Sequence, residues 1–162
     1  MSLKVLSMCV PDEFKFSDPD SHGIMIAQES FHFSALVNID GEVGYLDFDG
    51  LCGCPYNGAS NPFQWPIKNY YDDPKKDACG LGHDILFAHG GYVSFLGRNL
   101  TFGESNDYIR GSMREAGFSR KEAGTVCMAV KLPLVYLLHW GEKRDKEGMR
   151  HYSEVTWRPV HA

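Results

Sequence analysis

The chain has 162 residues, 43% of them hydrophobic and 13% aromatic, enough to bury one good core, and a single domain over residues 1–162 is expected. A net charge of −5, with no cluster of cations free of acids, argues against nucleic acid as a partner. No run of about eighteen apolar residues exists to cross a bilayer, and Met1-Ser2-Leu3-Lys4-Val5 lacks the apolar segment of a secretory signal.

The first third of the chain alternates with a period of two. Val5 to Val10, Ile24 to Ile26, Phe31 to Val37 and Val43 to Phe48 read as strands. Asp40-Gly41, between the last two, predicts a tight antiparallel hairpin, because both central positions of a type I′ turn need positive φ. From Asp49 to Asp73 the sequence is irregular and rich in Gly, Pro and Asn, a connection too long to be idle in a small domain. Pro74 then opens a helix with Asp73 as its cap. Ala78, Leu81, Ile85 and Ala88 form one apolar stripe and Cys79, Leu86 and Phe87 another, so this helix is expected to be buried on both sides, ending at His89-Gly90-Gly91. Ser105 is read as the cap of a second helix reaching about Ala116, with Ile109 and Met113 inward and Gly117 as its stop. Ser119 and Glu122 make a capping box for a third helix, with Ala123, Val126, Cys127 and Val130 inward and Pro133 at its end. Leu134 to Trp140 and Tyr152 to Trp157 are apolar segments that pattern alone leaves open between strand and helix. The fold class is α+β: an N-terminal antiparallel β-sheet followed by a cluster of about three helices.

Five cysteines at scattered positions lack the density of a disulfide framework, so reduced thiols are expected. Cys52 and Cys54 would need two further ligands at finger-like spacing to make a structural zinc site, and none follows. No metal-ligand set is read, and no cofactor is named by the sequence.

Chemistry concentrates in two places: the turn Gly53-Cys54-Pro55-Tyr56-Asn57-Gly58-Ala59-Ser60, and the pair His83-Asp84 on the buried helix. Adjacent helical residues diverge by about 100°, so an imidazole and a carboxylate placed this way border one groove from two sides. Gly80 lies between their directions and leaves room for another backbone or a ligand. Apolar neighbours favour the neutral imidazole, the form that acts as a base. The structural alternative is that a core His and Asp satisfy buried backbone groups of the long loop.

The order Gly53-x-x-x-Asn57-Gly58-Ala59-Ser60-x-Pro62, Trp65, His83-Asp84-x-Leu86-Phe87, Asn106-Asp107 and Met113-x-x-Ala116-Gly117 resembles the phage and prophage family catalogued as domain of unknown function 1353. The resemblance covers roughly residues 30 to 141 and implies a bacteriophage or integrated-prophage origin, with a location in the cytoplasm of a bacterial host or on a virion. Where the family pattern has Thr-Asp this chain has Tyr56-Asn57, replacing a carboxylate by a neutral amide. Phe87 stands for the family's Tyr, and Asn106-Asp107-Tyr108 for Ala-Asp-Arg.

Two function classes follow. In the first the chain is a small hydrolase, with His83, Asp84, Asn57 and Asp107 as catalytic candidates and Ser60 and Trp65 as binding candidates for a small molecule. A phospholipase version of it rests on Cys79-x-x-x-His83-Asp84, which superficially resembles the His-Asp helix of secreted phospholipase A2; Gly80 stands where the companion cysteine would be. In the second the chain is a non-enzymatic phage accessory or virion component that binds a phage or host protein through aromatics such as Phe63, Trp65, Tyr70 and Tyr71.

Overall fold

The computed structural model describes residues 2–56, 73–133, 135, 137, 140–141 and 148–161. The hairpin at Asp40-Gly41 forms as the sequence requires: both residues have positive φ, 53° and 95°. It joins two nine-residue strands, β3 (Phe31–Ile39) and β4 (Glu42–Gly50), with Ile39 opposite Glu42 and Phe31 opposite Gly50. β1 (Leu3–Cys9) adds to the free side of β3. Its register shifts between Val5 and Ser7, a bulge that leaves Leu6 exposed. β2 (Met25–Ile26) pairs with β5 (Pro55–Tyr56) as a separate two-stranded ribbon, so the irregular segment begins with a short ordered strand. The fourth strand of the main sheet is β6 (Ser153–Pro159), which pairs with β4; the segment left open between strand and helix is a strand, preceded by a 3₁₀ turn over Met149–Tyr152. The sheet order is β1-β3-β4-β6, antiparallel throughout.

Period-two alternation gives the sheet one apolar face. Phe33, Ala35, Val37 and Ile39 on β3 and Leu46 and Phe48 on β4 are buried, and Val155 and Trp157 on β6 join them. Phe33 and Phe48, directly paired across the strands, stack with ring centroids 4.7 Å apart.

Two helices cover that face, and a third packs on the second of them. α1 (Pro74–Ala88) starts with Pro74 in its first turn and the Asp73 carboxylate accepting from Lys75 N–H at 3.0 Å. Every residue from Ala78 to Ala88 is buried, as the two stripes predict, and Gly90 and Gly91 terminate the helix at positive φ. Leu81, Ile85 and Leu86 have no exposed surface, each contributing about 1.5–3 kcal/mol of burial. α2 (Phe102–Glu115) starts one turn earlier than the sequence reading placed it. Its cap is Thr101, not Ser105: Thr101 and Glu104 form a reciprocal capping box, and Ser105 is fully buried inside the helix. Arg98 fixes that box by donating to both Glu104 oxygens, at 2.7 and 2.8 Å. α3 (Arg120–Val130) carries the capping box expected at Ser119 and Glu122, and ends before Pro133. α2 lies on β1, with Gly111 so close that a Cβ there would meet Val5 at 3.0 Å. No helix among the described residues is long and apolar enough to cross a membrane.

Candidate functional site

His83 and Asp84 sit in the middle of α1, 5% and 7% exposed. What faces His83 is α2, and the spacing of the two helices is set one residue away. A Cβ at Gly82 would meet the Tyr108 hydroxyl and lie 2.7 Å from Cζ, so only glycine lets the buried Tyr108 ring lie against α1. The Tyr108 hydroxyl then donates to the Ala78 carbonyl at 3.1 Å. With Gly82 and Tyr108 in register, Asn106 faces His83. Nε2 of His83 and Oδ1 of Asn106 are 2.9 Å apart, both groups buried. Cys127 Sγ of α3 donates to the Asn106 backbone carbonyl at 3.5 Å, which ties the third helix to the same residue.

An amide oxygen only accepts, so with Oδ1 turned to the ring Nε2 carries the hydrogen and Nδ1 is left without one. Nδ1 lies 3.8 Å from Asp84 Oδ1, too long for a hydrogen bond. The imidazole also packs on Phe87, ring centroids 4.1 Å apart, and Phe87 meets Phe102 at a tilt, at 5.4 Å, and Trp140 edge to ring, at 5.2 Å. Two buried polar atoms on α2 have no hydrogen-bond partner, Asn106 Nδ2 and Ser105 Oγ. An orphaned amide N–H beside a titratable pair is the kind of exception found at functional sites.

Asp107 does not share this cluster. Its carboxylate pairs with Arg110 at 3.1 Å and Lys131 at 3.2 Å, bridging α2 to the residue after α3. The reason is the helical angle: when Asn106 turns toward α1, the next side chain points about 100° away. Asn106 is the residue that sequence reasoning missed, and the same angle applied to the Asn106-Asp107 pair allows only one of them to face His83. Asn57, Ser60 and Trp65 lie outside the described residues.

Thiol chemistry is disfavoured at Cys79 and Cys54. Cys79, one turn before His83, is buried and donates to the Lys75 carbonyl at 3.2 Å, and burial pushes its thiol up to about 12. Burial likewise raises Cys54 to about 12. Among the described residues no three His, Cys, Asp or Glu side chains are grouped to hold a metal ion. Comparison with protein-family models, with curated proteins and with solved structures finds no match for this chain.

Proposed function

We propose that the chain is a small hydrolase of phage or prophage type in which His83 is a general base acting through Nδ1. The observation that supports this reading is the 2.9 Å contact of Nε2 with Asn106 Oδ1; with the amide oxygen as acceptor, the imidazole lone pair lies on Nδ1, on the Asp84 side. A water hydrogen-bonded to Nδ1 gives one proton to the imidazole as its oxygen bonds to the substrate's electrophilic centre; the Asp84 carboxylate stabilises the imidazolium, which returns the proton to the leaving group as the scissile bond breaks. The N–H of Asn106 that has no partner is a donor for substrate. In this reading Asn57, Ser60 and Trp65 contribute substrate contacts from the long Gly- and Pro-rich segment, while Asp107 acts as a strut between helices. A neutral amide behind the imidazole stabilises its charged form less than a carboxylate would, so the base is a modest one.

The experiment is hydrolysis of ester, amide and phosphodiester chromogenic substrates by the wild type and His83→Gln, with thermal melts as folding control. A general base accounts for about 10²–10⁴-fold in rate, and a loss of that size is expected. Equal rates in the two proteins, or none in the wild type, would refute the reading.

A second reading, a non-enzymatic accessory or virion component acting by protein binding, is favoured by one observation: His83 is only 5% exposed. With the Asn106 amide reversed, Nδ2 donates to Nε2, the imidazole proton moves to Nδ1 and points at Asp84, and the cluster becomes a closed brace between α1 and α2.

A further inference from the structure

The face of the sheet turned away from the helices carries a second constellation. The hairpin register sets His32 opposite Asp49 and Ser34 opposite Asp47, all four on the outward side. Asp49 Oδ1 lies 2.8 Å from His32 Nδ1, and His32 Nε2 lies 3.3 Å from Ser34 Oγ. Ser34 Oγ donates to Asp47 Oδ1 at 2.6 Å. Arg158 of β6 holds the same carboxylate through Nε at 2.8 Å and through a terminal nitrogen at 3.1 Å, while its guanidinium stacks on Tyr45 with Cζ 4.3 Å from the ring centroid.

A polar ladder between two strands needs only the pairs His32–Asp49 and Ser34–Asp47. What it does not need is the contact along one strand from imidazole to hydroxyl, and that contact turns two pairs into a chain of carboxylate, imidazole and alcohol. Such a chain is recognised by its geometry and not by its place in a sequence. A carboxylate accepts only, so Nδ1 of His32 bears the proton and Nε2 offers its lone pair to Ser34.

We propose that Ser34 is a nucleophilic serine, with His32 as its base and Asp49 as the carboxylate that orients the imidazole, and that it takes the acyl group of an activated carboxylic ester. In the resting state the hydroxyl hydrogen lies on Asp47. Rotation about Cβ–Oγ brings it to Nε2 of His32, which accepts it as Oγ bonds to the ester carbon. The ester C–O bond then breaks, and the leaving alcohol takes the proton from the imidazolium. Asp47 is the poorer base: burial raises its carboxyl, but hydrogen bonds from Arg158 and Ser34 outweigh that and hold it below the ordinary aspartate value. Arg158, on the same Asp47 oxygen as Ser34, neutralises the carboxylate that would otherwise oppose negative charge building up beside Oγ. The His32–Asp49 end of the chain is open to solvent, the two side chains 56% and 53% exposed, and Ser34 lies beneath it at 6%, so an ester reaches Oγ only past the imidazole.

The test is labelling of the intact protein with a fluorophosphonate, in which Oγ–P forms, P–F breaks, fluoride leaves and the proton goes to His32. The adduct is located by fragmentation mass spectrometry. An adduct on Ser34 is expected, absent in Ser34→Ala and formed at least about 100-fold more slowly in His32→Gln. No adduct, an adduct on Ser60 instead, or equal labelling of the wild type and His32→Gln would overturn the proposal. Melting curves of the variants establish that each is folded, and Asp49→Asn, which keeps the size of the side chain, repeats the comparison at the other end of the chain.

Discussion

Gly82→Ala tests whether the α1–α2 spacing rests on one missing side chain. In an ordinary helix the change is favourable by about 1 kcal/mol, since alanine is the better helix former. Here the new methyl would meet the Tyr108 hydroxyl and lie 2.7 and 2.8 Å from ring carbons Cζ and Cε1, and Tyr108 has no exposed surface into which to retreat. Overpacking of this kind costs about 1–3 kcal/mol. Moving the ring also breaks its hydrogen bond to Ala78, about 0.5–1.5 kcal/mol more. The net loss is therefore about 2 kcal/mol, read by urea denaturation followed by circular dichroism. In a Tyr108→Phe background the clash with the hydroxyl is gone, so the same change should cost at least about 0.5 kcal/mol less. Gly82→Ala as stable as the wild type would refute the reasoning, because helix propensity would then have outweighed a clash that does not exist.

Leu81→Ala, at a position with no exposure, should cost about 2–5 kcal/mol in the same denaturation assay, and a loss under about 1 kcal/mol would place α1 at the surface. Phe95 is 85% exposed and held at φ 67°, a conformation that costs a bulky residue about 1–2 kcal/mol; Phe95→Gly should raise stability by about 0.5–1 kcal/mol once glycine's extra chain entropy is subtracted. Glu104 is buried: burial raises its carboxyl, but the bonds from Arg98 and Thr101 outweigh that and hold it below its ordinary value of 4.5. A depressed native value stabilises above the unfolded one, so stability should hold above about pH 4.5 and fall as pH drops through the native value. Glu104→Gln should flatten that acid limb in pH-dependent melts.

Local signals were legible wherever one residue type has one physical use. Asp40-Gly41 fixed the hairpin, Asp73-Pro74 and Ser119 with Glu122 fixed two helix starts, and the double stripe from Ala78 to Ala88 announced a helix buried on both sides. The start of α2 was equally written, since Thr101 and Glu104 stand at capping-box spacing, but Ser105 competes as a cap and only the bond geometry separates them. β6 was not legible, because its partner β4 lies about a hundred residues earlier and a short apolar run reads as either element. The burial of His83 and Asp84 followed from the apolar stripes around them, whereas the contact with Asn106 depends on the rotation of a second helix about its own axis. The outward block of His32, Ser34, Asp47 and Asp49 was implicit in the hairpin: once the turn is set, the register pairs them.

The proton on His83 is where the account is most exposed. The ¹⁵N chemical shifts and couplings of its imidazole, measured near neutral pH, report which nitrogen bears the hydrogen. A hydrogen on Nε2 and a bare Nδ1 is the expected result, and Asn106→Leu should abolish the preference by removing its acceptor. A hydrogen on Nδ1 would show that the amide donates and the imidazole is a closed strut, which would contradict His83 as the base.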